Sequence, residues 1–125
     1  MNLLALTMNN FQETVSQPGV VMVDCWASWC GACTEFEPVF KRIAAEHPEH
    51  TFCKLDSQDQ KELVSKLGIE HIPTLLLYRD GILLFQQPGY FDAGQMKDIL
   101  EQAVTVDMDM VRAEIEAETS KQKEE

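Results

Sequence analysis

The sequence has few basic residues and few cysteines. Only 10 of its 125 residues are Lys or Arg, against 21 Asp and Glu, which gives a formal net charge of −11. Phosphate backbones and anionic lipid headgroups repel such a chain, so we expect neither nucleic acid nor a membrane surface as a partner. Four cysteines are too few for a disulfide scaffold at this length, and the chain is long enough to bury a core without one.

Long hydrophobic runs are also missing. The first basic residue is Lys41, and the apolar stretch at residues 3–6 is too short for a signal peptide or a membrane span. We therefore expect a cytoplasmic protein. With 45% apolar residues, the chain is predicted to be globular.

Strand-like and helix-like apolar patterns alternate along the chain. The predicted helices are residues 9–17 with a capping box at Asn10 and Glu13, a long helix closed by His47-Pro48, a short helix stopped by Gly68, and a last helix containing Met96, Ile99, Leu100 and Ala103. The predicted strands are residues 20–26, 51–55, 72–78 and 82–85. Early strands joined by helices run parallel, whereas Asp80-Gly81 indicates a hairpin between the last two. The predicted fold class is α/β, with a central mixed sheet of four to five strands flanked by helices.

A short motif that carries chemistry follows the strand predicted at residues 20–26. Residues 29–33 read Trp-Cys-Gly-Ala-Cys, so two thiols lie two residues apart at a strand-to-helix turn. Such a pair can close a small disulfide ring, and the start of a helix favours a thiolate on the first cysteine. The pattern is typical of disulfide exchange.

Half of a zinc site is the alternative interpretation of this pair. Zinc needs a second pair of ligands, and the three histidines lack that spacing with the other two cysteines: His47, His50 and His71. We expect no metal. Cys25 and Cys53 lie in apolar, strand-like runs and are predicted to be buried free thiols, and their role in regulation is left open.

The motif and several residues outside it resemble the thioredoxin family. Residues 23–33 match the active-site segment of that family, Pro38 matches its helix proline, and Ile72-Pro73-Thr74 matches its cis-proline loop. Gly68, the Asp80-Gly81 turn and Gly89 also fall at positions where the family has them. The likeness covers about residues 3–104, which implies a thioredoxin-like domain at residues 1–105.

The resemblance implies a thiol-disulfide oxidoreductase that reduces protein disulfides. Its partners would be protein disulfide substrates and a thioredoxin reductase that supplies electrons from NADPH, with no bound cofactor. Cys30 would be the nucleophile with the exposed side chain, and Cys33 the less accessible resolving thiol. A non-catalytic, redox-sensing module that docks partners through its groove and acidic tail is the alternative.

Asp24 lies in the middle of the apolar strand before the motif. Burial there is costly for a carboxylate and should raise its pKa, which suits a proton shuttle. The resemblance implies that Asp24 assists deprotonation of Cys33 through water and that Lys54 pairs with Asp24. A solvent-exposed Asp at a strand end is the alternative.

The substrate surface is also implied by the resemblance. A cis bond at Ile72-Pro73 would turn the chain beside the sulfurs and leave the Ile72 backbone free to pair with an extended substrate segment. The full set of expected substrate-binding residues is Trp29, Gly31, Ala32, Ile72, Pro73 and Gly89.

The motif departs from the common family pattern in two ways. Ala32 stands where thioredoxins usually have Pro, which leaves an extra N–H donor that should favour the Cys30 thiolate and weaken the reducing power. Glu35 and Glu37 place negative charge near the site, which disfavours a thiolate. Together with Glu70, these acids favour partners with basic or neutral surfaces.

The likeness ends near residue 104. Residues 106–125 are predicted to form an acidic amphipathic extension, helical and then frayed, with an apolar stripe of Val104, Met108, Val111 and Ile115. Weak packing on the domain is one interpretation, with a monomeric chain. Docking of a partner or of a second copy of the chain is the other.

Overall fold

The computed structural model describes residues 3–124, which form one mixed sheet with helices on both faces. Its elements in chain order are β1 (Leu4–Ala5), α1 (Phe11–Val15), β2 (Val20–Trp26), α2 (Gly31–Glu46), β3 (Thr51–Asp56), α3 (Lys61–Lys66), β4 (Thr74–Arg79), β5 (Ile82–Pro88), α4 (Ala93–Thr105) and α5 (Met108–Glu124). The expected α/β class is confirmed.

The five strands lie in the order β1-β3-β2-β4-β5. β3 runs parallel to β1 and β2, whereas β4 runs antiparallel to both β2 and β5. The predicted parallel pairing of the early strands and the final hairpin are therefore confirmed. The hairpin turn has positive φ at both Asp80 (53°) and Gly81 (83°), which matches the right-handed twist of the flanking strands.

β2 is buried on both faces, and its side chains alternate between two cores. Val20 and Met22 pack in the core under α2 and α4, whereas Val21 and Val23 pack in the core under α1 and α3. Because successive strand side chains point to opposite faces, Asp24 falls on the α2 face. The sheet thus directs a carboxylate toward the helix that follows the cysteine motif.

α2 is held in place by an apolar stripe at helical spacing. Phe36, Phe40 and Ile43 are fully buried against the sheet. Pro38 lies inside the helix, as the family resemblance implies, and the helix ends two residues before Pro48. This packing fixes the start of α2 at the end of β2.

The predicted capping box of the first helix is wrong. α1 spans residues 11–15 rather than 9–17, and the side chain of Asn10 does not cap it. Asn10 instead accepts from the N–H of Thr7 (2.7 Å) and donates to the carbonyl of Ala5 (2.9 Å). An Asx side chain can satisfy a preceding turn as readily as a helix start, and here the turn after β1 competes successfully.

A complete capping box opens α4 instead. The carboxylate of Asp92 accepts from the N–H of Gln95 (2.8 Å), and the Gln95 side chain accepts from the N–H of Asp92 (2.9 Å). Its sequence signature, an acid followed three residues later by Gln, is present in the chain. The pair sets the start of the helix that packs beside α2.

α5 follows α4 after a short break. Met108, at its first position, is buried, and Arg112 lies 3.4 Å from Asp80 in the β4–β5 turn. Two residues of the predicted apolar stripe, Val104 and Ile115, are exposed, so the stripe is only partly covered. Between residues 3 and 124, no helix is both long enough and apolar enough to cross a bilayer.

Candidate active site

The two cysteines of the motif are joined in a disulfide at the start of α2. Cys30 is the N-cap residue, its Cα lies 5.2 Å from that of Cys33, and its Sγ accepts from the N–H of Cys33 (3.1 Å). This position points unpaired backbone N–H groups and the positive end of the helix dipole at the Cys30 sulfur. The arrangement favours a thiolate on Cys30 when the disulfide is reduced.

Cys30 is more sheltered than the sequence suggested. Cys30 was expected to be exposed, but only 7% of its surface is accessible, against 3% for Cys33. The disulfide packs against Ala27 with Trp26 and Ile72 beside it, and these contacts cover Cys30. The expected ranking of the two cysteines therefore holds, whereas the expected exposure of Cys30 does not.

The loop before β4 lies against the disulfide. The Ile72-Pro73 bond is cis, as expected, and Ile72 packs on the cysteine cluster. The carbonyl of Pro73 accepts from the N–H of Gly89 (2.8 Å), so the loop after β5 is tied to the same place. The structure therefore brings Ile72, Pro73 and Gly89 together, although they are distant from the motif in sequence.

The remaining expected contact residues surround the motif at the surface. Trp29 is 69% exposed, and Gly31 and Ala32 are exposed in the first turn of α2. The donor that the structure shows at the Cys30 sulfur is the N–H of Cys33, not that of Ala32. The extra N–H of Ala32 therefore acts on the sulfur only through the electrostatics of the helix start.

Asp24 is fully buried, which excludes the alternative of a solvent-exposed strand end. Its Oδ2 accepts from Nζ of Lys54 (2.8 Å), the residue opposite it in the β2–β3 register. Burial raises the pKa of Asp24, and the hydrogen bond and charge of Lys54 oppose that rise only in part. The expected raised pKa of this carboxyl is confirmed in direction.

Lys54 has a second acidic neighbour that the sequence did not reveal. Its Nζ lies 3.3 Å from Oε1 of Glu37, and 5.1 Å from the centre of a Trp26 ring. Glu37 follows Cys33 by four residues, so both point from the same face of α2 toward the sheet. The four-residue spacing from Cys33, together with the alternation of side chains along β2 that directs Asp24 toward α2, is the sequence signal from which the position of Glu37 near this site could have been predicted.

A small cavity of about 110 Å³ adjoins these groups. Polar side chains make up much of its wall, and Cys33 is part of it; the lining residues are Trp26, Ala27, Ser28, Cys33, Thr34, Glu37 and Lys54. The volume is sufficient for a water molecule, and the wall offers hydrogen-bond partners. Such a water would lie beside Cys33 and Lys54, and Lys54 in turn donates to Asp24.

One group of side chains far from the cysteines could hold a metal ion. Donor atoms of His47, Glu49 and His50 lie within 4.8 Å of one another beyond the C-terminal end of α2. The 16 residues of α2 separate this group from the disulfide by roughly 24 Å. Burial is the main cause that lowers the pKa of His50. Lys97 lines the same depression, and its positive charge opposes a metal ion there.

Cys25 and Cys53 are free and buried, as predicted. Each lies in the core under α1 and α3, on the opposite face of the sheet from Asp24. Burial raises the pKa of each thiol to about 12. They take no part in the site at the start of α2.

Comparisons with known proteins agree with this geometry. The thioredoxin family model matches residues 2–112. The Streptomyces coelicolor protein named “Putative thioredoxin 2” is 41% identical over 107 residues, which cover 86% of this chain and 80% of that protein. The thioredoxin of Alicyclobacillus acidocaldarius is 38% identical over 99 residues, covering 78% of this chain and 90% of that protein.

A solved structure is similar as well. A mutant thioredoxin from Halobacterium salinarum superposes with a TM-score of 0.77 at 29% identity, over 85% of this chain and 94% of that one. The disulfide at the start of α2 lies within the matched residues. This chain therefore belongs to the thioredoxin family, as a thiol-disulfide oxidoreductase that reduces protein disulfides.

Proposed function

We propose that Cys30 is the attacking thiolate of this reductase and Cys33 the resolving thiol. The observation that carries the assignment is the position of Cys30 as N-cap of α2, where the N–H of Cys33 donates to its sulfur. A negative charge on Cys30 is stabilised there by the helix start. Cys33 lies one turn further in and is less accessible, as suits the second step.

The reaction consists of two thiol-disulfide exchanges. The Cys30 thiolate attacks one sulfur of a substrate disulfide, forming a mixed disulfide and releasing the other substrate sulfur as a thiolate. The Cys33 thiolate then attacks Sγ of Cys30, which forms the Cys30–Cys33 disulfide and releases the second substrate thiolate. Two electrons pass from the protein to the substrate, and protons from the cysteines and the solvent yield the substrate dithiol.

The second exchange requires Cys33 to lose a proton. Asp24, when ionised, is the base that accepts it, and the cavity beside Cys33 has room for the water that would carry it. Lys54 holds the Asp24 carboxylate in place and compensates part of its charge. These four residues, Cys30, Cys33, Asp24 and Lys54, form the proposed catalytic set.

Substrates would dock on the apolar surface around the disulfide. Trp29 supplies an exposed ring, and the backbone next to the cis bond is available for pairing with an extended segment. The proposed contact residues are Trp29, Gly31, Ala32, Ile72, Pro73 and Gly89. Backbone and apolar contacts would therefore hold the substrate, and the exposed acids Glu35 and Glu70 favour substrates with basic or neutral surfaces.

The oxidised chain must be reduced again to act catalytically. We assign that step to a thioredoxin reductase that draws electrons from NADPH, so this chain would be an electron carrier in the redox homeostasis of the cytoplasm. The chain supplies only its redox-active disulfide and needs no bound cofactor for this reaction.

Residues 1–105 are proposed as the redox domain and residues 106–125 as an acidic extension. Burial of Met108 and the contact of Arg112 with Asp80 favour an extension that packs on its own domain. A monomer is therefore the proposed state.

A trapping experiment tests the assignment of the two cysteines. In Cys33→Ser, Cys30 can still attack a substrate disulfide, but no second thiol is present to release the substrate. Substrates should therefore accumulate as mixed disulfides that dithiothreitol cleaves. The double variant Cys30→Ser/Cys33→Ser is the matched control and should capture none. Partners retained equally by both variants without a covalent bond would instead support the docking module.

A further inference from the structure

Lys54 is shared between two carboxylates of different burial. Its Nζ lies 2.8 Å from Oδ2 of Asp24, which is fully buried, and 3.3 Å from Oε1 of Glu37, whose side chain is 44% exposed. The lysine itself is only 14% exposed, so solvent competes little for its ammonium. Two carboxyl groups thus depend on one partly buried ammonium group.

An ammonium group that contacts two carboxylates neutralises each of them less than an ammonium group that contacts only one. We propose that Glu37 is a positioning residue for proton transfer at Cys33: by holding part of the Lys54 ammonium, it governs how tightly Asp24 keeps its proton. Glu37 contacts neither substrate nor a reacting sulfur in this role. It acts through Lys54 and through its own charge.

The charges around Asp24 favour this role. Burial is the largest cause of its raised pKa, Lys54 lowers that pKa, and the charge of Glu37 raises it further. From β4, the residue opposite Asp24 is Leu75, which brings no charge. The contributions of Lys54 and Glu37 therefore act in opposite directions on Asp24.

Two further groups on α2 face this cluster. Cys33 lines the same cavity but is held in the disulfide. Lys41 lies 3.9 Å from Glu37 and is well exposed, so solvent screens its pull on that carboxylate. Glu37 accordingly remains available to Lys54.

Removing the charge of Glu37 should make Asp24 more acidic. In Glu37→Gln, Asp24 would be the only carboxylate that contacts Lys54, and the negative charge of Glu37 would be lost. Asp24 would then be ionised at lower pH but would be a weaker base once ionised. The rate of mixed-disulfide resolution should rise on the acid side of the pH profile and fall about two- to fivefold on the alkaline plateau, so the two profiles cross.

Glu35→Gln is the matched control. It removes the same charge from the same helix two residues away, but Glu35 is exposed and lies on the opposite side of α2 from the Cys33–Glu37 stripe. Two measurements are made on each variant of the full chain. One follows the ¹³C carboxyl resonance of Asp24 against pH in the oxidised protein, and the other follows the resolution rate against pH in single-turnover reduction of a small protein disulfide.

A shift of both the Asp24 titration and the rate profile to lower pH in Glu37→Gln, without such shifts in Glu35→Gln, is the expected result. Equal shifts in the two variants would mean a general effect of acidic charge and would overturn the proposal. The absence of a shift in Glu37→Gln would also overturn it. In a Lys54→Met background, the effect of Glu37→Gln should shrink, because only its direct charge effect is left; an undiminished effect would contradict sharing of the lysine.

The inference rests on the proposed role of Asp24, and the two can fail separately. If the Asp24 resonance shifts in Glu37→Gln but the rate profile stays in place, the proposal for Glu37 is overturned. The variant Asp24→Asn then shows whether the role of Asp24 as the base fails together with the role of Glu37. Slower resolution in Asp24→Asn leaves the proposed function intact, whereas an unchanged rate removes Asp24 from the mechanism as well.

Discussion

Asp24 and Lys54 lie directly opposite each other in the β2–β3 register, and their side chains meet on the α2 face at 2.8 Å. Oδ1 of Asp24 has no hydrogen-bond partner among the residues that the structure describes. The carboxyl is therefore only half satisfied by protein groups, and its charged form is costly to bury. Its proton affinity and its effect on stability both follow from this relationship.

Asp24→Asn should separate the two exchange steps kinetically. Loss of the proton acceptor should slow resolution of the mixed disulfide by about 10²-fold at neutral pH, the lower end of typical contributions from general bases. Its formation needs only the Cys30 thiolate and should change much less. Stopped-flow fluorescence of the two tryptophans can follow both steps, and equal slowing of both would contradict the role of Asp24.

The same variant should change how stability depends on pH. The folded-state pKa of Asp24 is raised above the ordinary value of 3.8, so its contribution to stability is present in full below that value and is lost as the pH rises through the folded-state pKa. Asp24→Asn does not titrate. Its free energy of unfolding should therefore increase relative to the parent as the pH rises from about 4 over the range in which the protein stays folded. Urea unfolding of both oxidised proteins measures this, and a constant difference across the range would oppose the raised pKa.

Two substitutions near the disulfide should move its reduction potential in opposite directions. Ala32→Pro removes an N–H from the helix start and should make the couple more reducing. Glu35→Lys adds positive charge there and should make it more oxidising, by about 10 to 20 mV for an effect of 0.5 to 1 kcal/mol. Equilibration against glutathione measures both potentials. Unchanged potentials in both variants would mean that neither residue tunes the site.

The packing of α5 can be tested with two methionines of one helix. Met108 is 6% exposed and Met110 is 61% exposed. Met108→Ala should lower the free energy of unfolding by about 2 kcal/mol, whereas Met110→Ala should change it by less than about 0.5 kcal/mol. Urea denaturation distinguishes the two variants, and similar losses of stability would mean that the extension does not pack as described.

Size-exclusion chromatography of the full chain and of a chain ending at Thr105 should show monomers in both cases.

Cysteine labelling should distinguish the reactive thiol of the site from the two buried thiols of the core. Because the pKa of Cys25 and that of Cys53 are raised to about 12, iodoacetamide at about pH 8 should leave both unmodified in the folded, reduced protein while Cys30 reacts. Unfolding in urea should make all four cysteines reactive. Mass spectrometry gives the sites, and early labelling of Cys53 would show that its strand opens easily.

Much of the fold followed from local patterns. The nearly continuous apolar run of β2, the stripe of Phe36, Phe40 and Ile43, and the Asp80-Gly81 turn are each encoded by residues close together in the chain, so the local pattern predicts the element directly. The failure at Asn10 has a local cause too. Its side chain can serve either a turn or a helix start, and the sequence does not show which of these forms.

The sequence by itself determined the disulfide, because Cys30 and Cys33 are close in any helix that starts between them. Only the tertiary structure decided what surrounds it. Lys54 reaches Asp24 across 30 residues and Glu37 across 17, through the register of β3 beside β2 and the position of α2 above the sheet. Such contacts depend on how distant elements pack, and no local pattern of residues encodes that distance. The pairing of two acids with one partly buried lysine is therefore a property of the folded chain.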